Sequence, residues 1–126
     1  MKNQIRNLRP GDLYWMDETG EKRGHEQKKI RIWMLIRKTS YSDLWQVACL
    51  GPDSDKRKGR EHEEWIRTDA SGRESVIFLT HYTTVDPSRF EKFAGTVPPV
   101  VLRQACMQMS EILRKEAEEI DLEAGG

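Results

Sequence analysis

Short runs of β-prone residues mark the first half of the chain, and one of them alternates with a period of two, which predicts a β-strand with distinct faces. Residues 12–17 form a short run of β-prone residues around Tyr14 and Trp15. Residues 30–38 form a longer run. Its first face is apolar and consists of Ile30, Ile32, Met34 and Ile36. Its second face is mixed and consists of Arg31, Trp33, Leu35 and Arg37. The arginine that opens the mixed face is therefore predicted to point towards a surface or a cleft.

Shorter β-prone runs follow, and turn-forming residues separate them. They span residues 44–50, 64–68, 75–80 and 93–97. The run at 75–80 is largely apolar, which predicts the most buried strand. Two polar segments, 18–29 and 51–60, are long and charged and are predicted to be loops. Asp86 followed by Pro87 predicts a short helix, since Asp is a frequent N-cap and Pro a frequent first helical residue.

The C-terminal part of the chain predicts one clear helix, which starts at Pro98 and Pro99. Apolar residues recur there at helical spacing and give the helix an apolar stripe. The stripe consists of Leu102, Ala105, Cys106, Met109, Ile112, Leu113 and Ala117. Five or six short strands and one amphipathic helix predict a mainly β fold. We expect a small, strongly bent antiparallel sheet or barrel that the helix covers on one side.

Length and charge add the number of domains and the distribution of charge to the predicted fold. A chain of 126 residues predicts one domain over 1–126, with a core at about 8–115 and an acidic C-terminal tail at 116–126. The net charge is zero, but the charges are unevenly distributed. Residues 21–40 contain seven lysines and arginines and two acidic residues, whereas residues 111–123 contain two basic and six acidic residues. A basic face that binds a polyanion and a pair of solvated surfaces both fit this distribution.

Cysteine content and hydropathy limit the class of protein further. Cys49 and Cys106 are isolated and form no Cys-x-x-Cys pair, so neither a zinc site nor a disulfide framework is predicted, and no metal or cofactor is expected. Both are interpreted as reduced core thiols. No apolar run approaches the roughly 20 residues that cross a membrane, and residues 1–6 lack the apolar core of a signal peptide. We therefore expect a cytoplasmic protein without membrane association.

The most informative motif is Gly11-Asp12-Leu13-Tyr14-Trp15 followed by Gly24-His25-Glu26-Gln27-Lys28-Lys29-Ile30-Arg31. It resembles the start of the PemK/MazF family of toxin endoribonucleases. In that family a Gly-Asp strand precedes a short loop and a segment of the form Gly-Ser-Glu-Gln-x-x-x-Arg-Pro. The resemblance continues through Glu74 to His81, Thr84 to Asp86 with Arg89, and Gly95-Thr96-Val97. It extends from about Leu8 to about Leu113.

The resemblance implies an SH3-like barrel of the CcdB/MazF toxin type with a C-terminal helix. It also implies a homodimer whose RNA groove crosses the subunit interface. The implied function is that of the toxin of a toxin–antitoxin pair. Such a toxin is a sequence-selective, metal-independent endoribonuclease that cleaves single-stranded RNA, and a cognate antitoxin protein inhibits it by covering the groove with a disordered tail. A shared fold does not by itself establish the activity, so the argument depends on individual residues.

Three residues are the candidates for catalysis. Arg31 matches the family's catalytic arginine, and a guanidinium can stabilise the phosphorane that forms when a ribose 2′-hydroxyl attacks the adjacent phosphorus. Glu26 matches the loop glutamate and is expected to act as the general base or to orient one. His25 stands where the family usually has serine, and an imidazole suits acid–base work near neutral pH. The alternatives are a surface ion pair for Arg31, a strand cap or a pairing with a nearby lysine for Glu26, and no role for His25.

The residues expected to bind RNA lie mostly in the two charged loops. They are Gln27, Lys28, Lys29, Lys56, Arg57 and Lys58, together with His81, which stands where the family usually has glutamine. Cations of this kind position phosphates without reading sequence. Trp15, Trp33 and Tyr82 are candidates for stacking on bases, although the two tryptophans are predicted to be barrel side chains.

The chain departs from the family at two positions. Ile32 replaces the proline that commonly follows the arginine. Where the family has a catalytic Ser or Thr at the end of the third strand, this chain has Gly51-Pro52 and no hydroxyl. The alternative function is therefore a catalytically weak or inactive barrel that acts as an RNA- or protein-binding module. A gyrase-directed toxin like CcdB is a third possibility, but the acidic tail at 116–126 gives no sign of it.

Overall fold

The computed structural model describes residues 7–18, 29–54 and 60–125. They form six strands, a short 3-10 helix at Pro87–Arg89 and one α-helix. The elements are β1 (Asp12–Asp17), β2 (Ile30–Lys38), β3 (Trp45–Pro52), β4 (Trp65–Thr68), β5 (Ser75–Val85), β6 (Phe90–Thr96) and α1 (Pro99–Gly125). Every strand pair is antiparallel, and the order across the sheet is β4-β5-β3-β2-β1-β6. The predicted mainly β fold with a C-terminal helix is confirmed.

The alternating residues of β2 enter two separate hydrophobic cores, one on each face of the sheet. Met34 lies in the first core with residues of β1, β3, β5 and α1. Trp33 and Leu35 lie in the second core, which also contains Tyr14 and Cys49. Burial of a large apolar side chain contributes roughly 1.5–3 kcal/mol. The register of β2 is therefore strongly specified, because a slip of one residue would exchange the two cores.

The two ends of the sheet approach each other through the turn that follows β4. Gly95 in β6 has a φ of 139°, and a Cβ built there would lie 2.2 Å from the carbonyl oxygen of Ala70. It would also lie 3.6 Å from the Cα of Ser71. Only glycine accommodates both this backbone conformation and this contact. The turn between β4 and β5 therefore packs directly on β6, which closes the bent sheet towards a barrel.

Helix α1 begins at the predicted prolines, where the backbone amides of Val101 and Leu102 donate to the Pro98 carbonyl at 2.9 and 3.2 Å. Its inner face packs on the first core as far as Ile112. Beyond Ile112 the helix is exposed on all sides through Glu123. Leu113 and Ala117 of the predicted stripe are exposed for that reason, and Cys106 is exposed although it precedes Ile112. The prediction that Cys106 is a core thiol is therefore wrong.

The acidic segment at 116–125 continues α1 beyond its contacts with the sheet. The division of the chain into a core and a tail stays a prediction. In the described parts of the chain, no helix combines the length and the apolar character that crossing a membrane requires.

Several strand boundaries differ from the predicted ones. β5 continues to Val85 because its polar second half still pairs with β3, with Tyr82 opposite Ala48. β3 extends through Pro52, which was predicted to lie in a loop. β1 and β3 are buried more completely than β5, so the prediction that the most buried strand lies at 75–80 is wrong. The short helix is confirmed, with the Asp86 carboxylate accepting the Ser88 backbone N–H at 2.9 Å.

Candidate functional site

Four polar side chains from neighbouring elements meet on the face of the sheet that carries the second core. They are Glu18 after β1, Arg31 in β2, Cys49 in β3 and His81 in β5. The Arg31 Nε atom lies 2.8 Å from Glu18 Oε1. One polar atom each of Glu18, Cys49 and His81 lies within 4.8 Å of the others. These four residues are called the Arg31 cluster below.

The register of β2 against β3 explains why Arg31 and Cys49 meet. Residues two apart in a strand share a face, so Arg31 lies on the same face as Trp33. Trp33 is directly opposite Cys49 in the antiparallel pair, which puts the thiol on that face as well. The Arg31 guanidinium lies close enough to the Cys49 sulfur to lower the pKa of the thiol. The alternation of β2 therefore builds both the second core and the polar cluster beside it.

An irregular stretch in the pairing of β3 with β5 brings His81 into the cluster. Ala48 lies opposite Tyr82, whereas Leu50 lies opposite Ile77, so the register shifts across Cys49. Such irregularities bend a strand and re-aim its side chains. The His81 ring consequently meets the Trp33 ring edge-on, with centroids 5.4 Å apart and an interplanar angle of 82°.

The ends of β1 and β2 are joined beside Arg31. The Glu18 backbone N–H donates to the Lys29 carbonyl at 2.7 Å, and the Lys29 N–H donates to Asp17 Oδ1 at 3.3 Å. The Arg89 guanidinium also donates to the Asp17 carbonyl, at 2.7 Å. The Arg31 side chain is 40% exposed and that of Glu18 26%. Arg31 thus faces solvent as predicted, and it also forms the ion pair that was its alternative role.

The environment of Cys49 keeps its thiol protonated at neutral pH. Burial raises the pKa of the Cys49 thiol to about 11, although the Arg31 guanidinium opposes that shift by its charge and its hydrogen bond. The Glu18 carboxylate pushes the pKa of the thiol further upwards. The thiol donates to the Leu50 carbonyl at 3.4 Å. Since the thiolate is the nucleophilic form, Cys49 is not an activated nucleophile in this arrangement.

A cleft of about 540 Å³ opens beside Arg31. Three cationic residues line it, namely Lys29, Arg31 and Arg73, while the acid on its wall is Glu74. Its apolar walls come mainly from Trp15, Ile32, Leu50 and Pro52. The Ser71 hydroxyl oxygen is buried at this wall and has no hydrogen-bond partner among the described residues. The cleft has the size of a small-ligand site, and its cations suit a phosphate-bearing ligand.

Three of the predicted site residues are described: Arg31 and His81 belong to the cluster, and Lys29 lines the cleft with Arg31. Seven others lie outside the described residues: His25, Glu26, Gln27, Lys28, Lys56, Arg57 and Lys58. Of the stacking candidates, Trp33 is buried as predicted, Trp15 lines the cleft, and Tyr82 is 43% exposed.

Sequence reasoning missed two members of the cluster, Glu18 and Cys49. Glu18 follows β1 directly, and the pairing of β1 with β2 would have placed it next to the start of β2. Cys49 lies two residues from Val47 and shares its face, but only the pairing of β2 with β3 puts that face beside Trp33. It was interpreted as a core thiol because it is an isolated cysteine, and its side chain is indeed buried. A Cβ on Gly51 would meet the Phe78 ring at 2.6 Å, so that ring fills the space of a side chain there.

Comparisons with known proteins assign the chain to a family. The family model for "PemK-like, MazF-like toxin of type II toxin-antitoxin system" matches residues 9–113. A comparison with curated protein sequences gave no match. MazF from Deinococcus radiodurans is similar in structure, with a TM-score of 0.65 and 19% identity over 86% of this chain and 98% of that chain.

Two complexes are similar as well. A mycobacterial endoribonuclease in complex with its cognate antitoxin gives a TM-score of 0.64 at 11% identity, over 85% of this chain and 95% of that one. A MazE–MazF structure from Deinococcus radiodurans gives a TM-score of 0.61 at 16% identity, over 82% of this chain and 94% of that one. At sequence identities this low, the similar structures show only that the fold is shared. The assignment to a family rests on the family model, which matches most of the chain. The chain therefore belongs to the PemK-like, MazF-like toxins of type II toxin–antitoxin systems.

Proposed function

We propose that this chain is an endoribonuclease toxin that cleaves single-stranded RNA at selected sequences, without a metal ion, at the Arg31 cluster. One observation carries the proposal. Arg31 is held at 2.8 Å by Glu18 while 40% of its side chain stays exposed, at the edge of a cleft that also presents Lys29 and Arg73. A fixed but accessible guanidinium among further cations is the arrangement that a phosphodiester requires.

Arg31 stabilises the charge that develops during cleavage. The RNA 2′-hydroxyl attacks the adjacent phosphorus, and the leaving 5′-oxygen takes up a proton as the bond breaks. Glu18 is paired with the Nε side of the guanidinium, so the terminal nitrogens supply the donors for the non-bridging phosphate oxygens. Removal of one such preorganised donor typically lowers the rate by about 10²–10³. Glu18 acts as a positioning residue, since its ion pair holds the Nε side of the guanidinium.

Proton transfer is assigned to Glu26 as the general base, with His25 as its partner. Both belong to the segment 19–28, and the residues that flank this segment, Glu18 and Lys29, are hydrogen-bonded to each other beside Arg31. RNA contacts are assigned to the predicted cations and to two polar side chains. They are Gln27, Lys28, Lys29, Lys56, Arg57, Lys58 and His81. Arg73 joins this set because it lines the same cleft.

One feature favours the alternative of a binding module without cleavage. The family's hydroxyl is missing at the end of β3, where the Phe78 ring packs against Gly51. The Cys49 thiol lies two residues before Gly51 on the Arg31 face, and burial raises the pKa of this thiol to about 11. A protonated thiol hydrogen-bonds more weakly than a hydroxyl. The alternative therefore predicts RNA that binds in the cleft and stays intact.

The partners that we propose are single-stranded RNA, a cognate antitoxin protein and a second copy of the chain. The antitoxin proposal is supported by similar structures that are described as toxin–antitoxin complexes. An antitoxin segment that covers the cleft would exclude RNA from Lys29, Arg31 and Arg73. The solution mass of the purified chain, measured by light scattering, tests the homodimer.

The test of this proposal uses purified protein and a long single-stranded RNA in EDTA. Discrete cuts whose 3′ ends carry a cyclic phosphate or phosphate are expected, and mapping them gives the recognised sequence. A second substrate carries a single 2′-deoxy nucleotide at the mapped site. It should remain intact there, because the attacking hydroxyl is missing. Wild-type protein that binds RNA tightly and leaves it uncut would contradict the proposal and support the binding module.

A further inference from the structure

The Arg31 cluster contains a set of side chains that is suited to a thiophilic metal ion. Glu18, Cys49 and His81 offer a carboxylate oxygen, a sulfur and an imidazole nitrogen, and these atoms lie within 4.8 Å of one another. In a tetrahedral zinc site with bonds of about 2.0–2.3 Å, the ligand atoms are roughly 3.3–3.8 Å apart. The three groups thus need to converge by about 1 Å, and two of them are on partly exposed side chains that can move.

We propose that Zn²⁺ binds to Glu18, Cys49 and His81 and thereby switches off the site that contains Arg31. The inhibitory part of this proposal rests on the proposed function, whereas binding of the ion does not. Sulfur and imidazole ligands favour Zn²⁺ over Mg²⁺ and Ca²⁺, which prefer oxygen ligands. Three protein ligands and one water would complete the coordination, as in other open zinc sites.

The hydrogen bonding of Glu18 supports this assignment. Its Oε1 atom is buried and, although it lies 2.8 Å from Arg31 Nε, it accepts no hydrogen bond of good geometry from the described residues. Buried carboxylate oxygens are usually satisfied by hydrogen bonds, a cation or a metal. The same oxygen can therefore pass from Arg31 to a metal ion without breaking a well-formed hydrogen bond.

Binding of the ion would displace Arg31 from its position. The metal takes the Glu18 carboxylate, and the Cys49 thiol releases its proton to solvent as the zinc–sulfur bond forms. Two positive centres then face each other, so the guanidinium turns away from the cluster into solvent, where its side chain is already partly exposed. The phosphate loses its main donor, and cleavage stops. An enzyme that needs no metal for its chemistry would thus be inhibited by one.

Co²⁺ provides a direct probe of the site, because a cobalt–thiolate bond gives a charge-transfer absorption band that carboxylate and imidazole ligands do not give. Metal-free, full-length protein is titrated with Co²⁺, and Zn²⁺ is then added in competition. The variants are Cys49→Ser and His81→Ala, and Cys106→Ser is the matched control because Cys106 is the other, exposed thiol. Circular dichroism confirms that each variant is folded.

We expect one equivalent of Co²⁺ to produce the band in the wild type and in Cys106→Ser, and Zn²⁺ but not Mg²⁺ to remove it. Cys49→Ser should lack the band. His81→Ala should bind more than about tenfold more weakly, since loss of even an outer partner of a metal costs about 10–100-fold in affinity. Absence of the band in the wild type, or its loss in Cys106→Ser, would overturn the metal site.

The cleavage assay separates this inference from the proposed function. RNA cleavage by the wild type and by Cys106→Ser, each compared with its own rate in EDTA, should fall to background at one equivalent of Zn²⁺. Unchanged cleavage at saturating Zn²⁺ would overturn the inhibitory role. A protein that cuts no RNA in EDTA but gives the cobalt band would contradict the proposed function and support the metal site.

Discussion

Substitution of Gly95 by alanine tests how the sheet closes. An L-residue at a φ of 139° costs about 1–3 kcal/mol. In addition, the new Cβ would lie 2.2 Å from the Ala70 carbonyl oxygen, so the turn after β4 must move by about 1 Å or β6 must shift. Overpacking of this kind typically costs a further 1–3 kcal/mol or so. We therefore expect Gly95→Ala to lower the free energy of unfolding by about 4 kcal/mol.

Gly72→Ala is the matched control, because Gly72 also has a positive φ, 92°, but nothing lies within 4 Å of a Cβ built there. Only the backbone cost applies at that position. The free energy of unfolding of both variants is measured in urea, where it falls by about 2 kcal/mol per molar. The extra loss of about 2 kcal/mol at Gly95 should therefore lower its unfolding midpoint by about 1 M relative to Gly72→Ala. Equal midpoints for the two variants would refute the close packing of β6 on the turn that forms the Ser71 and Arg73 wall of the cleft.

Two further predictions concern the titration and the reactivity of single side chains. The Ser88 backbone amide lowers the pKa of the Asp86 carboxyl below its ordinary value of 3.8, so this carboxylate stabilises the fold above that pH and less as the pH falls through the lowered value. Asp86→Asn keeps an N-cap residue but removes its charge. The free energy of unfolding of this variant should approach that of the wild type as the pH falls into the acid range. A difference in unfolding free energy between the two proteins that stays constant with pH would contradict this prediction. A thiol reagent at pH 8 should label Cys106 in the folded protein and both cysteines after unfolding, because Cys49 is fully buried and burial raises its pKa to about 11. Rapid labelling of Cys49 in the folded protein, seen by peptide mass, would show that its burial is wrong.

The hydrophobic pattern of the sequence was sufficient to predict the elements in which buried residues recur at a regular spacing. The alternation in β2 predicted the two faces of the strand, and the face that carries Arg31 is the one on which the site lies. Helix α1 was predicted at the correct start because two prolines mark it. Its exposed second half was not predicted, because a helical stripe shows which side is apolar but not where the sheet beneath it ends.

The composition of the cluster could not be predicted from local pattern, since it depends on pairing between distant strands. Cys49 and Glu18 join Arg31 through the register of three strands. His81 was selected from the resemblance alone, and its place beside Trp33 depends on a register shift between β3 and β5 that no local signal marks. The seven predicted site residues at 25–28 and 56–58 stay predictions, because they lie outside the described ranges.

The rate of RNA cleavage by Arg31 variants tests the central claim most directly. Single-turnover rates would be measured in EDTA on a short RNA that contains the mapped site, for the wild type, Arg31→Ala, Arg31→Lys and Arg37→Ala. Arg37 is the matched control because it lies on the same strand and donates to Gln46 at 3.1 Å, away from the cluster. We expect Arg31→Ala to be slower by about 10²–10³, Arg31→Lys to recover only part of the rate, and Arg37→Ala to match the wild type. A folded Arg31→Ala protein that cleaves at the wild-type rate would contradict the account.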